Sequence, residues 1–99
     1  MTIRLVSHGQ TGEFFLDGRL DSNTAPEAEE IFAETLPRFD NITLDLENLE
    51  YISSAGLRVF KRLYMDLKKK GGILTVKNTQ EMIMEVFEMT GFVSLFRFA

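Results

Sequence analysis

The sequence predicts one α/β domain, in which a mixed sheet of four to five strands packs with three or more helices. Three observations predict this class. Apolar residues alternate in some segments, they recur at three- and four-residue steps in others, and helical segments separate the later strands. A helix that joins two strands implies parallel pairing, whereas a hairpin at the start of the chain implies an antiparallel edge.

The first twenty residues predict two strands, of which the second covers residues 13–20 after a glycine-containing turn at 8–12. Helical spacing follows, with Pro26 suited to the first turn of the helix and Pro37 to its end. Four residues before this helix are able to cap it: Asp21, Ser22, Asn23 and Thr24. Its predicted buried stripe is Ala28, Ile31, Phe32 and Leu36.

Residues 41–49 alternate between apolar and polar, which predicts a third strand with one buried face. Its core-facing residues are Ile42, Leu44 and Leu46, and its outward residues are Thr43, Asp45 and Glu47. A second helix follows, with an apolar stripe at Leu57, Phe60, Leu63, Tyr64 and Leu67. It ends at Gly71 and Gly72, where the lysines of its last turn complement the helix dipole.

A fourth strand at residues 72–78 and a third helix complete the regular elements. The spacing of Asn78 and Glu81 predicts a capping box for this helix, and Gly91 predicts its C-terminal end. Its predicted buried stripe is Met82, Val86 and Met89, widened by Phe87. The aromatic tail at 92–99 is too short for a helix, so it either adds an edge strand or packs across the sheet.

Composition restricts the classes of function. A chain of 99 residues suits a single domain, and 44% hydrophobic with 26% charged residues is typical of a globular protein. The lack of cysteine excludes disulfides and thiolate metal sites. A net charge of −4 argues against general binding of nucleic acid, because phosphates attract a basic surface.

The location expected from the sequence is the cytoplasm. No stretch approaches the roughly 18 consecutive apolar residues that a membrane helix needs. The first ten residues, MTIRLVSHGQ, lack the apolar core of a signal peptide.

The stretch EYISSAGLRVF, residues 50–60, places two serines where the third strand meets the second helix. The first N–H groups of a helix lack intrahelical partners and carry a partial positive charge. Ser53 or Ser54 at the N-cap would satisfy one of them, typically worth about 1 kcal/mol. The same geometry suits a phosphoryl group, which brings roughly −1.5 to −2 charges. Both interpretations stay open on the residues alone, and Gly56 permits close approach of another chain.

An enzyme active site is not predicted. The G-x-S-x-G pattern is absent, because Tyr51 and Ile52 occupy the positions two before the serines. The single histidine, His8, lies in a predicted turn, and no Walker-type phosphate loop occurs. Three carboxylates match no cation-binding loop by their spacing: Asp17, Asp21 and Asp45. Neither a catalytic residue nor a metal or other cofactor is therefore expected.

Taken together, these residues resemble the STAS domain family, and within it the small bacterial anti-sigma factor antagonists. Three stretches carry the resemblance: GRLDSNTAPE at 18–27, the segment from ITLDLENLEYISSAGL to ILTVKN at 42–78, and EVFEMTGFVSLFRF at 85–98. The resemblance spans nearly the whole chain, which implies one STAS-like domain over residues 1–99.

The resemblance implies a partner-switching role. In that family an unmodified antagonist binds a serine kinase that is also an anti-sigma factor, and so frees the sigma factor. The kinase phosphorylates one serine of the antagonist and releases it, and a metal-dependent serine phosphatase resets the switch. A monomer without direct nucleic-acid or membrane contact is expected.

Position by position, the phosphorylated serine matches Ser54, with Ser53 as the alternative acceptor. The family pattern Asp-Ser-[Ser/Thr]-Gly reads Ser-Ser-Ala-Gly at residues 53–56, so a serine replaces the aspartate. The residues implied to contact the partner are Asp21, Ser22, Asn23, Thr24, Ser53, Ala55, Gly56, Leu57 and Arg58. The rival interpretation is a constitutive interaction or ligand-sensing STAS module without phosphate turnover, and a hydrolase is a more distant alternative.

Overall fold

The computed structural model describes residues 1–99, which form five strands, three α-helices and two short 3-10 helices. The strands are β1 (Thr2–His8), β2 (Thr11–Leu20), β3 (Asn41–Ile52), β4 (Leu74–Lys77) and β5 (Arg97–Phe98). The α-helices are α1 (Ala25–Thr35), α2 (Ser54–Lys69) and α3 (Glu81–Thr90). The 3-10 helices are Leu36–Arg38, directly after α1, and Phe92–Ser94, which follows α3.

The strands form one mixed sheet in the order β1-β2-β3-β4-β5. β1 and β2 pair antiparallel as a hairpin, whereas each later pair of neighbours is parallel. The predicted fold class is therefore confirmed. Of the two alternatives for the tail, the structure adopts the edge strand, since β5 pairs with β4.

The three helices pack on one face of the sheet, and buried aromatic rings connect them. Phe14 of β2 and Phe32 of α1 have ring centroids 4.9 Å apart, and Phe32 lies 6.4 Å from Phe60 of α2. Phe60 in turn lies 6.4 Å from Phe87 of α3. The core-facing residues predicted for β3 are fully buried, which confirms that stripe.

The orientation of α3 differs from the prediction: the burial predicted for Phe87 is confirmed, whereas the burial predicted for Met82 and Met89 is wrong. Ile83 and Phe87 are buried, whereas Met82 is 64% exposed and Met89 is 85% exposed. Val86 is half-buried at the boundary. Phe87 sets the orientation, because its ring contacts Phe60 and three rings of the tail, and burying one large ring outweighs burying flexible methionines.

The predicted capping box at the start of α3 is also wrong. Gln80 is the N-cap residue, and its side chain makes no capping hydrogen bond. Asn78 instead adopts a left-handed backbone with φ of 56°, and its amide Nδ2 donates to Asp45 Oδ2 at 3.0 Å. Asp45 also accepts the N–H of Glu47 at 3.0 Å. These two hydrogen bonds satisfy a carboxylate that is buried although it lies on the face opposite the helices.

The face of the sheet opposite the helices carries a buried carboxylate between a histidine and a lysine. Glu13 is 7% exposed, with Oε1 2.9 Å from His8 Nε2 and Oε2 2.6 Å from Lys77 Nζ. Burial alone would raise the pKa of Glu13, but the hydrogen bonds from Lys77 and His8 outweigh burial and lower the pKa below its ordinary value of 4.5. The same contact with Glu13 raises the pKa of Lys77.

Glu13→Gln is expected to reduce the amount by which the free energy of unfolding decreases between neutral and acidic pH. The folded pKa of Glu13 lies below the unfolded value, so its stabilising effect is complete above the unfolded pKa and disappears as pH falls through the folded pKa. Urea unfolding at neutral pH and at about pH 3 should therefore show a smaller decrease for Glu13→Gln than for the unsubstituted protein. Glu50→Gln, at an exposed carboxylate without an ion pair, is the matched control. If the free energy of unfolding decreases equally in acid with and without the Glu13 carboxylate, the stabilising role of Glu13 is contradicted.

Candidate functional site

The residues singled out by the sequence lie together at the carboxyl ends of β2 and β3. These strands are parallel neighbours, and Leu20 pairs with Ile52 where they end. The backbone N–H of Ser53 donates to the carbonyl of Leu20 at 2.9 Å. Because parallel strands end at the same edge of a sheet, the loop at 21–24 meets the start of α2.

The two serines at the start of α2 have different surroundings. Ser53 is the N-cap residue: its backbone is extended, and its hydroxyl oxygen accepts the N–H of Gly56 at 3.3 Å. Ser54 is the first helical residue, it is exposed, and its hydroxyl makes no hydrogen bond within the molecule. The capping role therefore belongs to Ser53, and the Ser54 hydroxyl is accessible at the positive end of a 16-residue helix.

The loop before α1 is held by its own polar groups. The Asp21 carboxylate accepts the backbone N–H groups of Asn23 at 2.9 Å and of Thr24 at 3.2 Å. These hydrogen bonds, first that of Asn23 and then that of Thr24, lower the pKa of Asp21. The Thr24 hydroxyl donates to the carbonyl of Arg19 at 2.8 Å instead of capping the helix. The result is an ordered loop that exposes Ser22 and Asn23.

The predicted partner-contact residues differ in exposure. Ser22, Asn23, Ser54 and Arg58 are exposed; Asp21, Thr24, Ser53 and Ala55 are half-buried; Gly56 and Leu57 are buried. A Cβ atom at Gly56 would lie 2.7 Å from Leu20 Cγ and 2.9 Å from Ile52 Cγ1. The glycine thus lets α2 pack against the ends of β2 and β3. A close approach at Gly56 is thus made within the molecule, and its contact with another chain stays a prediction.

A groove between α1 and α2 continues from this site and was not predicted from the sequence. Ala25 and Val59, which are buried, form its floor, and the exposed side chains of Arg58, Lys61 and Arg62 form a basic rim on α2. Ala55 and Met65 add further apolar lining. Ser22 of the ordered loop lines it as well. A signal was present in the sequence, because the rim residues and Met65 recur at three- and four-residue steps opposite the buried stripe of α2.

The structure contains neither a cluster of metal-binding side chains nor a helix that could span a membrane. The three aspartates considered as cation ligands stay in separate places: Asp17 in β2, Asp21 in the loop and Asp45 in β3. Nowhere do three histidine, aspartate or glutamate side chains meet in a group that could hold a metal ion. None of the helices is both long and apolar enough to cross a bilayer.

The chain is similar to known proteins in sequence and in structure. A family model described as the STAS domain matches residues 2–99. BtrV of Bordetella bronchiseptica is 40% identical over 73 residues, which cover 70% of this chain and 63% of that protein. The anti-sigma-B factor antagonist of Bacillus subtilis is 30% identical over 74 residues, which cover 75% of this chain and 68% of the relative. The chain thus spans about two thirds of the length of these relatives.

Among solved structures, the fold matches the Bacillus cell fate determinant SpoIIAA in its phosphorylated form. The TM-score is 0.79 at 18% sequence identity, and the match covers 99% of this chain and 91% of that one. At this level of identity the likeness concerns the fold alone.

Proposed function

The chain belongs to the STAS domain family, and we propose that it is an anti-sigma factor antagonist switched by phosphorylation of Ser54. The unphosphorylated form binds an anti-sigma factor that is also a serine kinase, and phosphorylation releases it. A metal-dependent serine phosphatase restores the binding form, and the protein itself catalyses no reaction. The observation that carries the proposal is the exposed Ser54 hydroxyl, without an internal partner at the start of α2.

A phosphoryl group on Ser54 would change the surface without disturbing the scaffold. It adds roughly −1.5 to −2 charges, which the N-terminal end of α2 partly stabilises. The hydrogen bond that caps α2 comes from Ser53, so modification of Ser54 leaves it in place. A partner that covers Ser54 then meets a bulky, charged group in the middle of its contact. Binding is lost while the domain stays folded.

Two of the similar proteins support the proposal. The Bacillus subtilis relative is named an anti-sigma-B factor antagonist, and SpoIIAA, which shares the fold, has a phosphorylated form. The loop at 21–24 lies at the same sheet edge as Ser54 and offers the partner a second, ordered contact.

Phosphate mapping tests the acceptor. The protein is incubated with ATP and the candidate anti-sigma serine kinase, and the modified residue is located by mass spectrometry. We expect phosphate on Ser54 in the unsubstituted protein and in Ser53→Ala, and none in Ser54→Ala. Ser53→Ala also loses the cap, about 0.5–2 kcal/mol of unfolding free energy, so its folding is checked by circular dichroism. Phosphate on Ser53 alone, or only outside residues 53–54, would refute the site.

A further inference from the structure

We propose that the groove between α1 and α2 binds an acidic segment of the protein partner, anchored by an apolar side chain. This rests on the proposed function, because the partner is the anti-sigma factor that phosphorylation of Ser54 releases. Two residues connect the groove to the Ser54 site: Ser22 belongs to the ordered loop, and Ala55 directly follows Ser54. The contact surface therefore extends from Ser54 along α2.

Small residues on both helices leave the groove open. Ala25 of α1 and Ala55 of α2 line it with single methyl groups, and Val59 lies in the floor. Met65 also lines the groove and is 46% exposed. The open volume is about 570 Å³, within the size range of pockets that hold a small molecule. An apolar side chain that enters would remove this apolar surface from water, which favours binding.

Cations along one rim determine the chemistry of the occupant. Arg58, Lys61 and Arg62 are exposed on α2 and line the groove. Arg62 pairs with Asp66 at 3.3 Å, whereas Arg58 and Lys61 have no ion-pair partner in the molecule. Only one acidic residue, Glu29, lines the groove. The whole chain has a net charge of −4, so the rim is a local reversal of charge that complements an acidic segment.

The position of Arg58 couples this groove to the switch. Arg58 lies four residues after Ser54 on α2, and residues four apart on a helix are neighbours on one face. A phosphoryl group on Ser54 would pair with Arg58 and place negative charge at the end of the groove. The rim would then attract an acidic segment less strongly. Phosphorylation therefore weakens the binding of the partner in the groove as well as at Ser54 itself.

Peptide binding tests the groove without the natural partner. The probes are two synthetic helical peptides with the same leucine stripe, one flanked by glutamates and the other by lysines. NMR titration of the full chain should shift the amide signals of Ala25, Ala55, Val59 and Met65 with the glutamate peptide. The lysine peptide should bind at least about fivefold more weakly, as expected for the loss of two exposed ion pairs. Unshifted groove amides at millimolar glutamate peptide, or equal affinity for both peptides, would overturn the inference.

Matched variants separate the rim from the overall charge. The double variant Arg58→Gln/Lys61→Gln removes two rim cations and should weaken the binding of the glutamate peptide about fivefold. Lys68→Gln/Lys69→Gln makes the same change of charge at the far end of α2, outside the groove lining. It should change the affinity by less than about twofold, because distant exposed charges are screened by salt. If both double variants weaken binding equally, the net charge of the protein explains binding and the groove proposal is refuted.

Different experimental results would refute the groove proposal and the phosphorylation switch. Phosphate on Ser54 in a protein that does not prefer the glutamate peptide refutes the groove and leaves the switch. A groove that binds this peptide in a protein never phosphorylated on Ser54 refutes the switch alone. Ser54→Asp should bind the glutamate peptide more weakly than Ser54→Ala, and equal affinities would refute the coupling through Arg58.

Discussion

Ser54→Asp is expected to bind the anti-sigma factor at least about tenfold more weakly than the unsubstituted protein, a loss of about 1.4 kcal/mol. The carboxylate places a permanent negative charge on the exposed start of α2, four residues before Arg58. It carries less charge than a phosphoryl group, so the phosphorylated protein should bind more weakly still. Ser54→Ala removes only a hydroxyl without an internal partner, so it is expected to bind as tightly as the unsubstituted protein.

Isothermal titration calorimetry against the purified anti-sigma factor measures these affinities. Neither substitution removes the cap, which belongs to Ser53, so the free energy of unfolding should change by less than about 0.5 kcal/mol. Ser94→Asp is the matched control, because it puts the same charge on an exposed serine away from α2. If Ser54→Asp and Ser54→Ala bind equally well, the switch is not electrostatic.

Phe87→Ala is expected to destabilise the domain by about 3–5 kcal/mol. The ring is fully buried, and its neighbours are Phe60 at 6.4 Å, Phe92 at 6.4 Å, Phe96 at 5.6 Å and Phe98 at 6.0 Å between centroids. Its removal leaves a cavity between α2, α3 and the tail, which these rings cannot fill without leaving their own contacts. The tail should therefore detach before the rest of the domain unfolds.

Met89→Ala is the matched control on the same helix. Met89 is 85% exposed, so its truncation should change the free energy of unfolding by less than about 0.5 kcal/mol. Urea unfolding followed by circular dichroism measures both variants, and amide hydrogen exchange at Phe98 reports on the tail. A large loss for Met89→Ala beside a small one for Phe87→Ala would instead support burial of the face that carries Met82 and Met89.

The local sequence pattern was sufficient to identify the buried face of an element wherever only one face of that element is apolar. The alternation at 41–49 identified the buried face of β3, and the stripe from Leu57 to Leu67 identified that of α2. Gly91, predicted as the end of α3, has the left-handed φ of 80° that such an end requires.

Local pattern failed in α3 because that helix is apolar on more than one side. Met82, Val86 and Met89 form one stripe, and Ile83 with Phe87 forms another. Periodicity alone cannot choose between them, since both have helical spacing. The tail decided the orientation, because its rings offer Phe87 an aromatic pocket that the sequence around α3 does not reveal.

The sequence by itself determined the order of strands and helices and the pair of serines at the start of α2. Alternation, turns and helix ends depend on neighbouring residues, so they can be recognised without a structure. Only the tertiary structure decided that Ser53 caps the helix while Ser54 faces outward, and that the groove beside them has a basic rim. These features depend on contacts between distant parts of the chain. Leu20 of β2 packs against Gly56 and accepts the N–H of Ser53, which orients the first turn of α2, and the packing of α1 beside α2 forms the groove.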